Sequence, residues 1–142
     1  MFNPSRDQSR AFLFDLWRKH RAGAALSPLE AMALAIVLEH PEYHAVLADR
    51  ERNLEREWRP EGGETNPFLH LSMHLAIEEQ VSIDQPPGIR AAVEKLAAHR
   101  GSKHEAAHDV MDCLAEVIWQ AQRNGAGFDN ATYLECLHRK TR

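Results

Sequence analysis

Two segments of this chain carry the same three donor side chains in the same order. His70, His74 and Glu78 recur 34 residues later as His104, His108 and Asp112. Each triplet is spaced i, i+4, i+8, which lines its side chains along one stripe of a helix. Imidazoles one helical turn apart, followed by a carboxylate, are the donors from which transition-metal sites inside helical bundles are built. Imidazole and carboxylate without thiolate suit iron, manganese, zinc, nickel or copper and disfavour calcium and magnesium. Ligand chemistry alone does not choose among these metals.

Spacing limits how the donors share an ion. Residues i and i+4 are about 6 Å apart along the axis and can chelate one ion, whereas i and i+8 are about 12 Å apart and cannot. If the two His helices run antiparallel, Glu78 faces the level of His104 and Asp112 that of His70, which suits two ions. If they run parallel, four histidines meet at one level and a single ion is expected. The sequence leaves both open.

Two more donors join this set. Glu39 ends a helix whose positions 29 to 38 are apolar except for Glu30, so the helix reads as central and buried and its terminal carboxylate is either a metal ligand or exposed to solvent at the helix end. His44 lies one turn into the next helix, beside Tyr43, Val46, Leu47 and Leu54. The expected ligands are therefore His70, His74, His104, His108, Glu78, Asp112, His44 and Glu39. His40 reads as a cap or turn residue, and His20, His99 and His138 as solvated groups. Cys113 falls on the far side of its helix from His104 and His108 and stays outside the site.

The elements that position these residues are helices throughout. Asn3-Pro4 caps and opens the first, to about residue 22. Ser27-Pro28-x-Glu30 is a capping box opening a helix that stops at His40, before Pro41. Pro41 starts another, predicted to run to about Trp58. Pro60 to Asn66 is a loop, and Asn66-Pro67 opens the first His helix, which ends near Ile83. Gln85-Pro86-Pro87-Gly88 is a turn, followed by a short helix from Ile89 to Arg100 that Gly101 ends. Ser102 with Glu105 opens the second His helix to about Arg123, and Asp129 or Asn130 caps a last helix to about His138. The expected fold is all-α, a helical bundle of about four longer helices with short accessory ones, forming one domain over residues 1–142.

Helical phase points the histidines inward. His70 and His74 lie opposite Ser72 and Glu79, amid Leu69, Met73, Ile77 and Val81. His104 and His108 fall with Met111, Ala115, Ile118 and Trp119. Four imidazoles aimed at an interior are costly unless their nitrogens are satisfied, and a shared cation satisfies them at once.

Composition bounds the rest. The 142 residues include nine histidines and carry a formal net charge of −4, which gives no electrostatic footprint for nucleic acid. The longest apolar run, Ala31 to Leu38, is far shorter than the roughly 20 residues of a membrane span. The N-terminus lacks the apolar core of a signal peptide. Cys113 and Cys136 form no CxxC pair and suit a reducing compartment. A cytoplasmic protein is expected.

Two family resemblances follow from these motifs. Asn-Pro-Phe-Leu-His-x3-His-x3-Glu-Glu-Gln over 66–80 and His-x3-His-Asp-Val-Met-Asp-Cys-Leu-x-Glu-x-x-Trp over 104–119 resemble a family of small bacterial proteins described as a domain of unknown function. The order of a single histidine (His44), His-x3-Glu (His74, Glu78) and His-x3-His (His104, His108) resembles the hemerythrin-like di-iron proteins. That second likeness implies a four-helix bundle holding two irons and binding oxygen. The closing His-x4-Asp of that pattern has no counterpart here. A weaker likeness is to small helical metal-dependent thiol transferases, with one histidine and a later His-x3-His on a single ion.

The function expected is that of a non-haem metal protein, di-iron in its fullest form, with oxygen, peroxide or nitric-oxide chemistry or sensing. A small molecule would bind at the metal. Were it an enzyme, it would be a metal-dependent oxidoreductase, with an uncoordinated carboxylate moving protons. The alternative is a helical adaptor whose histidines form a buried polar network, with the charged run Asp49 to Arg59 as a docking helix for a protein partner or a second copy. A purely structural zinc site is the third reading.

Overall fold

The computed structural model describes residues 6–58 and 65–141. Among them every regular element is helical, giving an all-α helical bundle. The helices are α1 (Arg6–Ala22), α2 (Pro28–Leu38), α3 (His44–Ala48), α4 (Arg50–Asn53), α5 (Pro67–Ile83), α6 (Ile89–Arg100), α7 (Lys103–Asn124) and α8 (Asn130–Arg139), with a 3-10 turn at Pro41–Tyr43. The chain divides into two compact units, Met1–Ala76 and Ile77–Arg142, with the boundary inside α5. No helix among the described residues is long and apolar enough to cross a membrane.

Local chemistry sets the helix ends where the caps predict them. Ser27 Oγ accepts the Glu30 N–H at 3.1 Å, and the Glu30 carboxylate accepts the Ser27 N–H at 2.9 Å, completing the capping box. Lys19 Nζ donates to the same carboxylate at 2.8 Å, and this bond, ahead of the Ser27 N–H, holds the Glu30 carboxyl below the usual range. Asn66 Oδ1 accepts from Phe68 and Leu69 at the start of α5. Asp129 Oδ1 does the same for Ala131 and Thr132 at the start of α8. Gly101 and Gly125 end α6 and α7 in the left-handed conformation that glycine adopts without a Cβ penalty. The Asn3-Pro4 cap and most of the Pro60 to Asn66 loop lie outside the described residues.

The core of the first unit is built from Leu13, Phe14, Leu16 and Trp17 of α1, Ala33, Ile36 and Val37 of α2, Leu47 of α3, and Phe68, Leu71 and Leu75 of α5. In the second unit α6, α7 and α8 pack on one another. They bury Ile89, Ala92 and Leu96, then Val110, Cys113 and Val117, then Tyr133 and Leu137.

Four expectations need correction. The helix expected from Pro41 to Trp58 is broken into the 3-10 turn, α3 and α4. Asp49 leaves helical geometry (φ −122°, ψ 79°) and its side chain caps the Arg52 N–H. Asn53 Nδ2 then closes the gap by donating to the Val46 and Asp49 carbonyls at 3.0 Å. Second, α2 is not enclosed on every side, because Ala31, Ala35 and Leu38 are exposed. An apolar residue is free to remain outside.

Third, the buried faces of the His helices are rotated from those read in the sequence. Leu69 is exposed and Met73 and Val81 are half-buried, while α5 buries Phe68, Leu71, His74 and Leu75 together with the expected Ile77. On α7, Ala115, Ile118 and Trp119 are exposed, while Ala106, Val110, Cys113, Leu114 and Val117 join Met111 inside. Fourth, Cys113 and Cys136 are bonded as a disulfide that ties α7 to α8, which selects the Cys113 face of α7 for burial. Disulfides are rare in reducing compartments, so the cysteines no longer argue for the cytoplasm.

One buried cation holds the broken segment. Arg10 is 2% exposed, and its Nη1 donates to the carbonyls of Asn53, Leu54 and Arg56 at 3.4, 3.0 and 2.7 Å. Its guanidinium also lies 4.9 Å from the Phe68 ring centroid and 5.3 Å from that of Trp58. Arg10→Met keeps the length but strands these carbonyls, so urea unfolding should show a loss of about 3 kcal/mol. A change below about 0.5 kcal/mol, the usual range for a surface site, would contradict this role.

Candidate metal centre

At the C-terminus of α2 the Ile36 and Val37 carbonyls accept the Glu39 and His40 backbone N–H groups at 3.1 and 3.0 Å, and the last turn carries no basic residue. Two histidine rings add a second bond to each carbonyl. His40 Nδ1 donates to the Ile36 carbonyl, and His44 Nε2 to the Val37 carbonyl, both at 2.8 Å. For His40 the bond places the ring proton on Nδ1 and the lone pair on Nε2. A ring that donates one N–H to a backbone carbonyl and presents the other nitrogen is the arrangement of a metal-ligating histidine.

Helix α5 presents a pair to the same place. His70 and His74 lie one turn apart, and their Nε2 atoms are 3.2 Å from each other. Two nitrogens bound to one tetrahedral ion at 2.0–2.1 Å stand about 3.3 Å apart, so the pair already has the bite of a chelate. The His40 ring centroid lies 4.7 Å from that of His74 and 5.1 Å from that of His70. Ligand nitrogens of the three residues lie within 4.8 Å of one another. That span fits one ion. His40 is 2% exposed and His74 4%, while His70 is half-buried.

Tyr43 walls the cluster. Its ring stacks on His40 at 5.7 Å with planes 5° apart, and meets His70 edge-on at 5.8 Å. Burial, with a smaller contribution from Glu42, raises the Tyr43 hydroxyl above its ordinary pKa.

The other expected donors lie as follows. His44 has Nε2 on the Val37 carbonyl and its ring 4.4 Å from Trp17. Glu39 is the exposed C-cap of α2. In the second unit His104 and His108 form an edge-on pair on α7, ring centroids 4.4 Å apart. Glu78 is half-buried on α5 and Asp112 is exposed on α7.

His40 is the member that the sequence reading set aside. Its signal was present, because His40 and His44 repeat the i, i+4 spacing of the other pairs. Pro41 between them hid it by reading as a helix boundary.

A helical protein with a compact imidazole cluster is the class these features define. The chain belongs to the family described as a domain of unknown function, DUF1841, whose model matches residues 5–139. No curated protein and no solved structure matches it.

The geometry fixes the His40 tautomer, which long-range 1H–15N correlation spectra report directly. The metal-free protein should show His40 protonated at Nδ1. Protonation at Nε2 alone would contradict the bond to Ile36.

Proposed function

We propose that this protein binds one transition-metal ion through the Nε2 atoms of His40, His70 and His74. The single observation that carries the reading is the 3.2 Å separation of the His70 and His74 nitrogens beside the buried, tautomer-fixed His40. Three imidazoles leave a coordination position open for a small ligand.

On this reading the protein is a non-haem metal protein, with iron first and zinc or manganese as alternatives, that acts on or senses a small oxygen or nitrogen ligand. The bound ion supplies Lewis acidity or a redox couple. Tyr43 shields the His40 ring from water. The compactness of the imidazole group favours one ion over the pair that the hemerythrin-like spacing implies. His104, Glu78, Asp112, His44 and Glu39 are then outer groups that orient ligands or carry protons.

A second reading, a helical adaptor, draws on the neighbouring exposed side chains of Ile118 (38%) and Trp119 (52%) on α7. In that case His70 and His74 share a proton across 3.2 Å and no ion binds.

Elemental analysis after anaerobic purification separates the two. The metal reading expects about one equivalent of a transition metal, falling below about a tenth in His40→Ala/His74→Ala with the helical circular dichroism unchanged. Metal content unaffected by the double substitution, or no metal even after reconstitution, would overturn it.

A further inference from the structure

A second site lies in the first unit, where α1, α3 and α4 enclose a cleft of about 380 Å³. Its floor is apolar and buried: Phe14, Trp17 and Leu47 are 3%, 7% and 3% exposed. Its rim is cationic, with Arg18, Arg21 and Arg50 against the single carboxylate of Asp15. Phe14, Trp17, Arg18 and Arg21 stand at i, i+3, i+4 and i+7 of α1, so one helical stripe passes from aromatic floor to charged rim.

The charges at this rim are unbalanced and loosely held. Arg18 Nε and Arg50 Nη1 both approach Asp15 Oδ1, at 3.8 and 3.6 Å. These are long contacts between half- to two-thirds-exposed side chains, the kind of pair that contributes little and exchanges readily. Arg21 adds a third guanidinium to the lining of the cleft. The Arg50 guanidinium also lies 5.9 Å from the Phe14 ring centroid, so a cation overlooks the floor itself.

A ligand matching both parts needs an apolar body and an anionic head. An inorganic anion would leave the aromatic floor wet, and a neutral hydrocarbon would leave the guanidinium forks unused. Arginine recognises planar and tetrahedral oxyanions through paired N–H donors. The cleft volume falls within the range of small-molecule sites, roughly 300 to 1,000 Å³. We infer that this cleft binds a small organic anion, an aryl or alkyl carboxylate, sulfonate or phosphate. Its apolar body lies on Phe14, Trp17 and Leu47, and its head is held by Arg18, Arg21 and Arg50. The inference is independent of the metal reading, because none of these residues belongs to the imidazole cluster.

The test uses the full chain and 1-anilinonaphthalene-8-sulfonate, whose fluorescence rises on entering an apolar site. Saturable binding is expected, with energy transfer from tryptophan that falls in Trp17→Phe. Octanoate should displace the probe, whereas octanol and inorganic phosphate at the same concentration should not. Arg21→Gln/Arg50→Gln, at two exposed positions, should weaken binding at least about tenfold while leaving the unfolding midpoint unchanged. Equal affinity in the double variant, displacement by octanol as effective as by octanoate, or binding that does not saturate would each overturn the inference.

Discussion

The end of α2 is the constraint on which the rest depends. An apolar helix ends with carbonyls that its α-helical bonds do not satisfy; here the Glu39 and His40 backbone N–H groups reach the Ile36 and Val37 carbonyls at 3.1 and 3.0 Å, and the last turn carries no basic residue. The same two carbonyls each take a second N–H bond, from the His40 and His44 rings. The bond gives the His40 ring a fixed tautomer and sets the ring beside those of His70 and His74 on α5. A structural need of the backbone and the chemistry of a candidate metal ligand are thus met by one side chain. The His44 bond has a comparable second effect, holding that ring against Trp17, whose other neighbours include the cleft beneath the arginine rim.

The segment after α2 follows from the same economy of caps. A continuous helix from Pro41 would sweep His44, Leu47 and Arg50 onward in one regular phase. Asp49 interrupts it, Asn53 bridges the break, and Arg10 collects the carbonyls left at its end. The interruption lets α3 lay Leu47 into the core while α4 carries Arg50 over the Phe14 ring. Arg10 is therefore a positioning residue for the cleft, acting through backbone carbonyls and not through any ligand.

Much of the helical framework was legible because its punctuation is local. Ser27, Asn66, Asp129, Gly101 and Gly125 act on backbone groups within a few residues, so type and spacing identify them. The i, i+4 pair of His70 and His74 was legible for the same reason. What the sequence did not show was set at longer range. The buried face of α7 depends on its disulfide partner on α8, and periodicity alone placed Ile118 and Trp119 inside when they are exposed. The carbonyls that follow the break at Asp49 are held by Arg10, some 40 residues earlier. His40 was passed over because Pro41 marks a boundary, and a boundary residue reads as a cap. It is a cap, and its second nitrogen is what places it in the cluster.

X-ray absorption at the edge of the bound metal tests the central claim most directly, because imidazole rings give a distinctive outer-shell scattering pattern. The account predicts about three nitrogen scatterers at about 2.0–2.2 Å with the imidazole pattern, reduced when His40 is replaced by alanine. A shell of oxygen alone, a sulfur scatterer, or a spectrum unaltered by His40→Ala would contradict it.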